Sequence, residues 1–190
     1  MARWEPDPQE RLVRAAVDLF SERGYDDTTV IEIAERAGLT KSTFFRHFRD
    51  KREVLFVGQD ILSQLLADGI TAAPDSATPL EALAAGLDAA TALFTPQRQD
   101  FGLRLRAVIA DNPELQEREA LKRARFASAM TDALERRGVP EPIASLAAEL
   151  GVLAFHRGYA RWVEPGNERT YTELAREALD ELRSTAATLD

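Results

Sequence analysis

The segment from Thr29 to Lys51, TVIEIAERAGLTKSTFFRHFRDK, constrains the fold more than any other part of the chain. Thr29 and Glu32 have the spacing of a capping box, in which each side chain accepts a hydrogen bond from the other residue's backbone N–H at the start of a helix. Apolar residues then recur at helical spacing as far as Gly38, which suits the left-handed position just past a helix end. The pattern predicts a short helix followed by a tight turn.

A second short helix is predicted directly after this turn, from Lys41 to Phe48, with Thr40 as its N-cap. Phe44 and Phe48 lie one turn apart and form its buried side. The opposite side carries Lys41, Ser42, Thr43, Phe45, Arg46 and His47. Such a mixture of donors, positive charge and apolar surface suits contact with phosphates and base edges in a major groove. A helix-turn-helix that binds DNA is therefore predicted, with a solvated basic face on a purely structural helix as the alternative.

Residues 11–55 resemble the DNA-binding domain of the TetR family of bacterial transcriptional regulators. RLVRAAVDLFSERGYDDTTV is similar to the first helix of the family and its glycine-ended turn. IAERAGLTKSTFFRHFRDKREVL is similar to its helix-turn-helix and the start of its fourth helix. At Phe45 the sequence departs from many members, which carry a tyrosine whose hydroxyl reaches a phosphate. The resemblance implies phosphate contacts by Thr29 and Lys51 and DNA contacts by the second helix, so the predicted DNA-binding residues are Thr29, Thr40, Lys41, Ser42, Thr43, Phe45, Arg46, His47 and Lys51.

The net charge of −8 is compatible with DNA binding because of how the charges are distributed. Residues 38–52 contain five basic side chains and one acidic side chain, whereas residues 53–190 contain 14 basic and 22 acidic side chains. Phosphate binding depends on the local charge, and the acidic remainder disfavours non-specific contact elsewhere.

Helix start and stop signals punctuate the whole chain, and no segment alternates as a strand does. A first helix is predicted from about Pro8 to Arg23, a fourth from near Lys51 to about Ala72, and further helices start after Thr78, Thr95, Asn112, Pro140 and Thr170. The predicted fold is all-α with nine helices. An N-terminal three-helix DNA-binding domain (residues 1–52) is joined by a long fourth helix to a C-terminal helical ligand-binding and dimerisation domain (residues 53–190).

Two features of the C-terminal helices suggest a dimer. A stripe of small residues at helical spacing would let another helix approach closely, and a mostly apolar seam runs along the last helix. Packing within one subunit is an equally good explanation of both patterns, and the family resemblance favours a homodimer. The predicted dimer-interface residues are Ala147, Gly151, Ala154, Gly158, Leu174, Ala178 and Leu182.

The middle helices carry the aromatic residues that an effector cavity would need. The predicted ligand-binding residues are Phe94, Phe101, Leu105, Phe126, Met130, Phe155, Tyr159 and Trp162, although such a pattern also suits a plain hydrophobic core. His156 is predicted to be a satisfied core histidine. The segment NPELQEREALKRARFASAMTDALERRG and the helix after it resemble regulators linked to mycofactocin genes, a group associated with acyl-CoA-like ligands.

Several classes of function are disfavoured. The chain has no cysteine, and its two histidines lie far apart, so neither a thiolate nor a histidine-rich metal site is expected. No nucleophile-elbow or phosphate-loop motif is present, so we predict neither an enzyme nor a cofactor. Without an apolar run long enough to cross a bilayer or a signal-peptide core, a cytoplasmic protein without membrane contact is expected.

The leading hypothesis is a transcriptional repressor that binds a palindromic DNA operator as a homodimer. A small hydrophobic effector, with acyl-CoA as one candidate, would release it. An alternative is a helical DNA-binding protein without a small-molecule ligand, controlled by its abundance or by a protein partner. A third hypothesis is a helical binding module whose helix-turn-helix is vestigial.

Overall fold

The protein is described from a computed structural model that defines residues 7–188. Over this range the chain forms nine α-helices and two short 3₁₀ turns, without a β-strand. The α-helices are α1 (Pro8–Arg23), α2 (Val30–Arg36), α3 (Lys41–His47), α4 (Gln59–Ala72), α5 (Pro79–Thr91), α6 (Gln99–Ala110), α7 (Pro113–Arg136), α8 (Glu141–Trp162) and α9 (Tyr171–Ala186). The 3₁₀ turns are Glu53–Phe56 and Pro96–Arg98. The prediction of an all-α chain of nine helices is confirmed.

Three helices begin with a capping box, at Thr29, where the sequence predicts it, and at Thr78 and Thr170. In each box the threonine accepts a hydrogen bond from the backbone N–H of a glutamate three residues on, and the glutamate accepts one from the threonine N–H. This bond from the threonine N–H is the main reason why the pKa of the three glutamates is lowered. The caps satisfy backbone donors that the first turn of a helix otherwise leaves unpaired.

The fourth helix starts later than predicted. The sequence pattern placed its beginning near Lys51, but α4 begins at Gln59, after the 3₁₀ turn Glu53–Phe56. Gly58 lies between the two with φ of +80°, in the left-handed region. A residue with that backbone conformation cannot continue a right-handed helix, so the chain must restart its helical hydrogen bonding after it.

Contacts divide the described residues into two compact units. The first unit contains the residues up to 57 together with 101–119, and the second contains 58–100 together with the residues from 120 onwards. The division therefore falls inside α7, whose first residues belong to the first unit. The domain boundary predicted after residue 52 stays a prediction. The N-terminal unit also contains residues 101–119, which no sequence pattern assigned to it.

The core of the first unit joins α1, α2 and α3. Leu12, Ala16, Leu19 and Phe20 of α1 are buried, and Phe44 of α3 is buried as predicted. Residues of α6 and early α7 add to this core, with Val108 and Leu115 buried against it. An ion pair between Arg104 and Asp18, and a second between Arg52 and Glu114 at 2.8 Å, lie at its surface.

In the second unit, helices approach each other closely at glycines. A Cβ atom added to Gly69 of α4 would lie 2.7 Å from the backbone of α5, at the carbonyl oxygen of Ala85 and the Cα of Gly86. A Cβ atom added to Gly158 of α8 would lie 2.7 Å from the Cα of Ala175 in α9. These contacts leave no room for a side chain, so the glycines set how near the helix axes come.

The residues predicted for the dimer interface are used for this internal packing. Gly151 faces Leu83 of α5, and Gly158 faces Ala175 of α9. The other five are also buried within the single chain: Ala147, Ala154, Leu174, Ala178 and Leu182. All seven predicted interface residues are therefore buried by packing within the subunit, the alternative that the sequence left open. Their predicted place in a dimer interface stays a prediction.

Replacing Gly158 with alanine is expected to destabilise the protein. The new methyl group would overlap backbone atoms of α9, which cannot rotate away as a flexible side chain could. After the higher helix propensity of alanine is counted, we expect a loss of about 1–2 kcal/mol in the free energy of unfolding. Urea unfolding followed by circular dichroism would measure it. Glu149→Ala, at an exposed position of α8, is the control, and equal midpoints for the two variants would contradict the close helix contact.

Candidate nucleic-acid interface and effector region

The position of α3 is set by its buried side. Phe44 is 0% exposed and Phe48, directly after the helix, is 3% exposed, with their ring centroids 5.4 Å apart. Thr40 caps the helix, since its Oγ1 accepts a hydrogen bond of 3.1 Å from the backbone N–H of Thr43. The two rings and the cap together determine which side of α3 faces solvent.

The turn between α2 and α3 is held by a residue that the sequence did not identify. Arg11 of α1 donates from Nη2 to the carbonyl oxygen of Ala37 at 2.5 Å and to that of Gly38 at 3.5 Å. These carbonyls lie at the C-terminal end of α2, where helical carbonyls lack partners and the helix dipole favours a cation. Gly38 adopts φ of +67°, which allows the sharp turn. Arg11 is 26 residues away in sequence, so no local pattern could have indicated it.

The structure brings six of the predicted DNA-binding residues to one solvent-facing surface of α3. Lys41, Ser42, Phe45, Arg46 and His47 are exposed, and Thr43 is half-buried beside them. Phe45 is 50% exposed, so half of its ring surface is open to contact from outside the chain. A ring in that position could contact sugar or a thymine methyl group. We call the surface formed by Lys41, Ser42, Thr43, Phe45, Arg46 and His47 the α3 face.

Two contacts organise the α3 face internally. The ammonium nitrogen of Lys41 lies 6.0 Å from the centroid of the Phe45 ring. Arg46 donates from Nη2 to Thr43 Oγ1 at 3.3 Å. Both contacts are long, and both cations are exposed, so each side chain can move to meet a base edge or a phosphate.

Thr29 and Thr40, the other two threonines of the predicted set, are exposed N-caps. The hydroxyl of Thr29 also donates to Oε2 of Glu32 at 2.8 Å, and Arg23 neutralises that carboxylate at 3.0 Å. The hydroxyl hydrogen of Thr29 is therefore committed to the capping box. Its predicted phosphate contact stays a prediction.

Lys51 has a structural role in addition to its predicted phosphate contact. Its half-buried ammonium group donates to the carbonyl oxygens of Tyr25 at 2.7 Å, Thr28 at 3.3 Å and Asp26 at 3.5 Å. It also lies 4.0 Å from the centroid of the Tyr25 ring. Three acceptors match the three hydrogens of an ammonium group, so Lys51 ties down the loop between α1 and α2.

The positive charge available to DNA is consequently concentrated on α3 and the residue after Phe48. Arg52 is paired with Asp50 and with Glu114, each at 2.8 Å, and its guanidinium lowers the pKa of Asp50. Lys41, Arg46 and Arg49 are exposed and have no ion pair among residues 7–188. Arg49 was not among the predicted DNA-binding residues, although it lies in the basic segment of residues 38–52.

The predicted ligand-binding residues fall into two groups. Phe101 and Leu105 pack against the core of the first unit. The remaining six belong to the second unit: Phe94, Phe126, Met130, Phe155, Tyr159 and Trp162. The eight residues therefore do not form one cluster within either unit.

An aromatic cluster forms the centre of the group in the second unit. Phe94 has its ring centroid between 4.9 and 6.3 Å from those of Phe155, Tyr159, Trp162 and Tyr171. Tyr171, which was not in the predicted set, is fully buried and donates from its hydroxyl to the carbonyl oxygen of Phe155 at 2.7 Å. These edge-on contacts are those of a packed core, which the sequence had left open for these residues.

His156 differs from its prediction as a satisfied core histidine. Its Nε2 atom is shielded from solvent and has no hydrogen-bond partner in the described part of the chain. Burial, together with the nearby positive charges of Arg123 and Lys122, lowers the pKa of His156 to about 3. The imidazole is therefore neutral at physiological pH and keeps an unused polar atom among apolar neighbours.

The family model that matches the chain covers this N-terminal unit. Residues 12–56 match the bacterial regulatory proteins of the tetR family. The transcriptional regulator TcmR of Streptomyces glaucescens is 35% identical over 75 residues, which are 40% of this chain and 33% of TcmR. The match thus spans about a third of the length of that relative. The match to the tetR family therefore rests on residues 12–56, the part of the chain that carries the helix-turn-helix.

Solved structures share the fold over nearly the whole chain. FadR of Thermus thermophilus, a repressor in complex with lauroyl-CoA, has a TM-score of 0.54 at 22% identity, covering 92% of this chain and 93% of its own. FadR of Bacillus subtilis, in complex with stearoyl-CoA, has a TM-score of 0.61 at 19% identity, covering 91% and 96%. In residues 7–188 of this protein, no helix is both long and apolar enough to cross a membrane.

Replacing Lys51 with methionine is expected to loosen the loop between α1 and α2. Methionine keeps an apolar stem but removes three hydrogen bonds from a charged donor, for which we expect a loss of about 1–2 kcal/mol in the free energy of unfolding. Arg49→Met is the matched control, because Arg49 is exposed and should change stability by less than about 0.5 kcal/mol. Thermal unfolding of both variants would show the difference. Indistinguishable melting curves would mean that the loop does not depend on Lys51.

Proposed function

We propose that the protein is a ligand-responsive transcriptional repressor that binds a palindromic DNA operator as a homodimer. The observation that carries this proposal is the α3 face, on which Lys41, Arg46 and Phe45 are exposed together on a short helix anchored by Phe44. A helix of this kind fits a major groove, in which lysine and arginine donate to guanine and an apolar side chain contacts thymine. In this proposal residues 1–52 act as the DNA-binding domain.

Within the interface we assign two kinds of contact. Lys41, Arg46 and Phe45 read base edges, while Arg49 contacts phosphates. Thr29 contributes through the backbone N–H groups at the start of α2, because the capping box holds its hydroxyl hydrogen. Lys51 contributes mainly by fixing the loop that precedes α2, given its hydrogen bonds to that loop. Base contacts determine which sequence is bound, and phosphate contacts determine position and overall affinity.

Control by an effector is supported by two observations. Two proteins of the same fold, both named FadR, hold fatty acyl-CoA molecules in their solved structures. The second unit of this chain also contains a buried polar atom without a partner among the described residues, Nε2 of His156, which a ligand could complete. We therefore propose a small hydrophobic effector, with an acyl chain as the leading class. A regulator without an effector is the alternative, and no catalytic role is proposed for any residue.

The outer side of α8 is the surface we propose for the second copy. Ile143, Leu146 and Leu153 are exposed by 52%, 65% and 40% and lie on one side of the helix at spacings of three and seven residues. Leu150, between them, is half-buried. An apolar stripe of this kind on a surface helix marks an interaction surface, and a second copy of the same helix would cover it symmetrically. We propose this stripe in addition to the buried residues that the sequence suggested for the interface.

Replacing Leu146 with glutamate is expected to break the dimer. Two copies of the stripe would then bring carboxylates into an apolar contact, so the variant should sediment as a monomer at concentrations where the unchanged protein is a dimer. Analytical ultracentrifugation would measure this, and operator affinity should fall with it. The control is Leu121→Glu, which changes a leucine on α7 that is 52% exposed. A monomeric control, or a dimeric Leu146→Glu variant, would show that the stripe is not the interface.

Substitutions on the DNA side should separate base reading from phosphate binding. We expect Lys41→Ala or Arg46→Ala to cost roughly 1–3 kcal/mol on the preferred operator and to relax base preference, if each makes a bidentate base contact. Arg49→Ala should weaken binding to all sequences alike and reduce the salt slope by about one. Operators selected from random duplexes, followed by fluorescence anisotropy at several salt concentrations, would test this. Binding that is blind to sequence and disappears at moderate salt would contradict the proposed function.

A further inference from the structure

Phe45 is an apolar ring within the otherwise polar α3 face, and its neighbour Phe44 keeps it there. Phe44 is fully buried, whereas Phe45 is 50% exposed. The two ring centroids lie 5.5 Å apart with the ring planes at 81°, so Phe45 packs edge-on against a ring that already fills the core. The exposed half of the Phe45 ring is therefore open to a partner outside the chain.

The chemistry of Phe45 limits which partner can cover this surface. Its ring carries no donor or acceptor group, so it forms no conventional hydrogen bond to a base edge or a phosphate. Each major-groove base edge presents hydrogen-bonding groups, and among the four standard bases thymine alone adds a methyl group, at C5. Against a polar edge the ring would leave donors or acceptors unpaired, whereas against a methyl group it buries apolar surface on both partners.

The cations of the α3 face have a different preference. The ammonium nitrogen of Lys41 lies 6.0 Å from the centroid of the Phe45 ring, and Arg46 follows Phe45 directly in sequence. Both cations are exposed, and their donors suit guanine acceptors and phosphate oxygens. Hydrogen-bonding partners on the DNA are thus served by residues beside Phe45, and the ring itself is left for an apolar group.

We propose that Phe45 makes DNA binding depend on a pyrimidine 5-methyl group in each operator half-site. The ligand class is duplex DNA that carries thymine or 5-methylcytosine at that position, in preference to uracil or unmodified cytosine. The methyl group packs on the exposed half of the Phe45 ring. This inference rests on the proposed function, because it takes α3 as the helix that enters the major groove, and it adds the chemical group that α3 recognises there.

Base analogues isolate the contribution of the methyl group. Uracil pairs with adenine as thymine does and lacks only the 5-methyl group, so each thymine of an operator selected from random duplexes is replaced by uracil in turn. Fluorescence anisotropy should show a loss of affinity of about fourfold at one position of each half-site, and about fifteenfold when both are replaced, the factors expected for burial of one and two methyl groups. At the same position, 5-methylcytosine should bind about fourfold more tightly than cytosine.

Two variants test whether Phe45 is the residue that senses the methyl group. Phe45→Ala should bring the thymine operator and the doubly substituted uracil operator to within about twofold of each other, whereas Phe45→Leu keeps an apolar side chain and should retain most of the preference. Ile31→Ala is the matched control, because Ile31 is 46% exposed but lies on α2, outside the α3 face. The control should keep the full preference, and circular dichroism would verify that all three variants are folded.

Photocrosslinking of the unchanged protein gives a reading that depends on no variant. 5-Iodouracil places an iodine atom where the methyl group of thymine lies, and irradiation links that base to a side chain in contact with it. Mass spectrometry should find the link at Phe45 when the analogue occupies the position that responds to uracil. If Phe45→Ala binds DNA too weakly for comparison, this crosslink decides.

Three results would overturn the inference: no thymine position that responds to uracil, a Phe45→Ala variant that keeps the full preference, or a crosslink at another residue. A Phe45 ring that packs on a sugar would give the first of these results while sequence-specific binding persists, and the proposed function would stand. Loss of sequence-specific binding altogether would instead overturn the proposed function and this inference together.

Discussion

Burial of Phe44 is the interaction on which the DNA-binding surface depends. A helix of seven residues is too short to be stable alone, because its nucleation cost is not recovered over so few hydrogen bonds. The ring of Phe44 is fully buried among α1 and α2 side chains such as Leu12 and Ile33, which are also 0% exposed. Its burial therefore both forms the helix and turns the opposite, basic side towards solvent.

Several charged residues stabilise the fold through contacts within the chain, so they are less available for contact with DNA. Arg11 binds the carbonyls at the end of α2, Lys51 binds those of the loop before it, and Arg52 is paired with two carboxylates. The charge left exposed is small but lies on one surface. An acidic protein thereby presents a locally basic surface on one short helix.

In the second unit, small residues determine how closely the helices pack. Backbones of α8 and α9 approach so closely at Gly158 that even a methyl group does not fit, and Gly69 does the same for α4 and α5. The stripe of small residues on α8, Ala147, Gly151, Ala154 and Gly158, is buried by packing within the subunit. The exposed stripe of Ile143, Leu146 and Leu153 is the surface that we propose for a second copy.

The sequence by itself determined the helices and the chemistry of the α3 face. Caps such as Thr29 with Glu32 act between residues three apart, and Phe44 and Phe48 lie on one side of a helix by its geometry alone, so local spacing suffices. Only the tertiary structure decided which partner each surface meets. A stripe such as Ala147 to Gly158 fits a neighbouring helix in the same chain or in another equally well. Contacts such as that of Arg11 with Ala37 join residues far apart, and they arise only when burial of apolar side chains has brought the helices together.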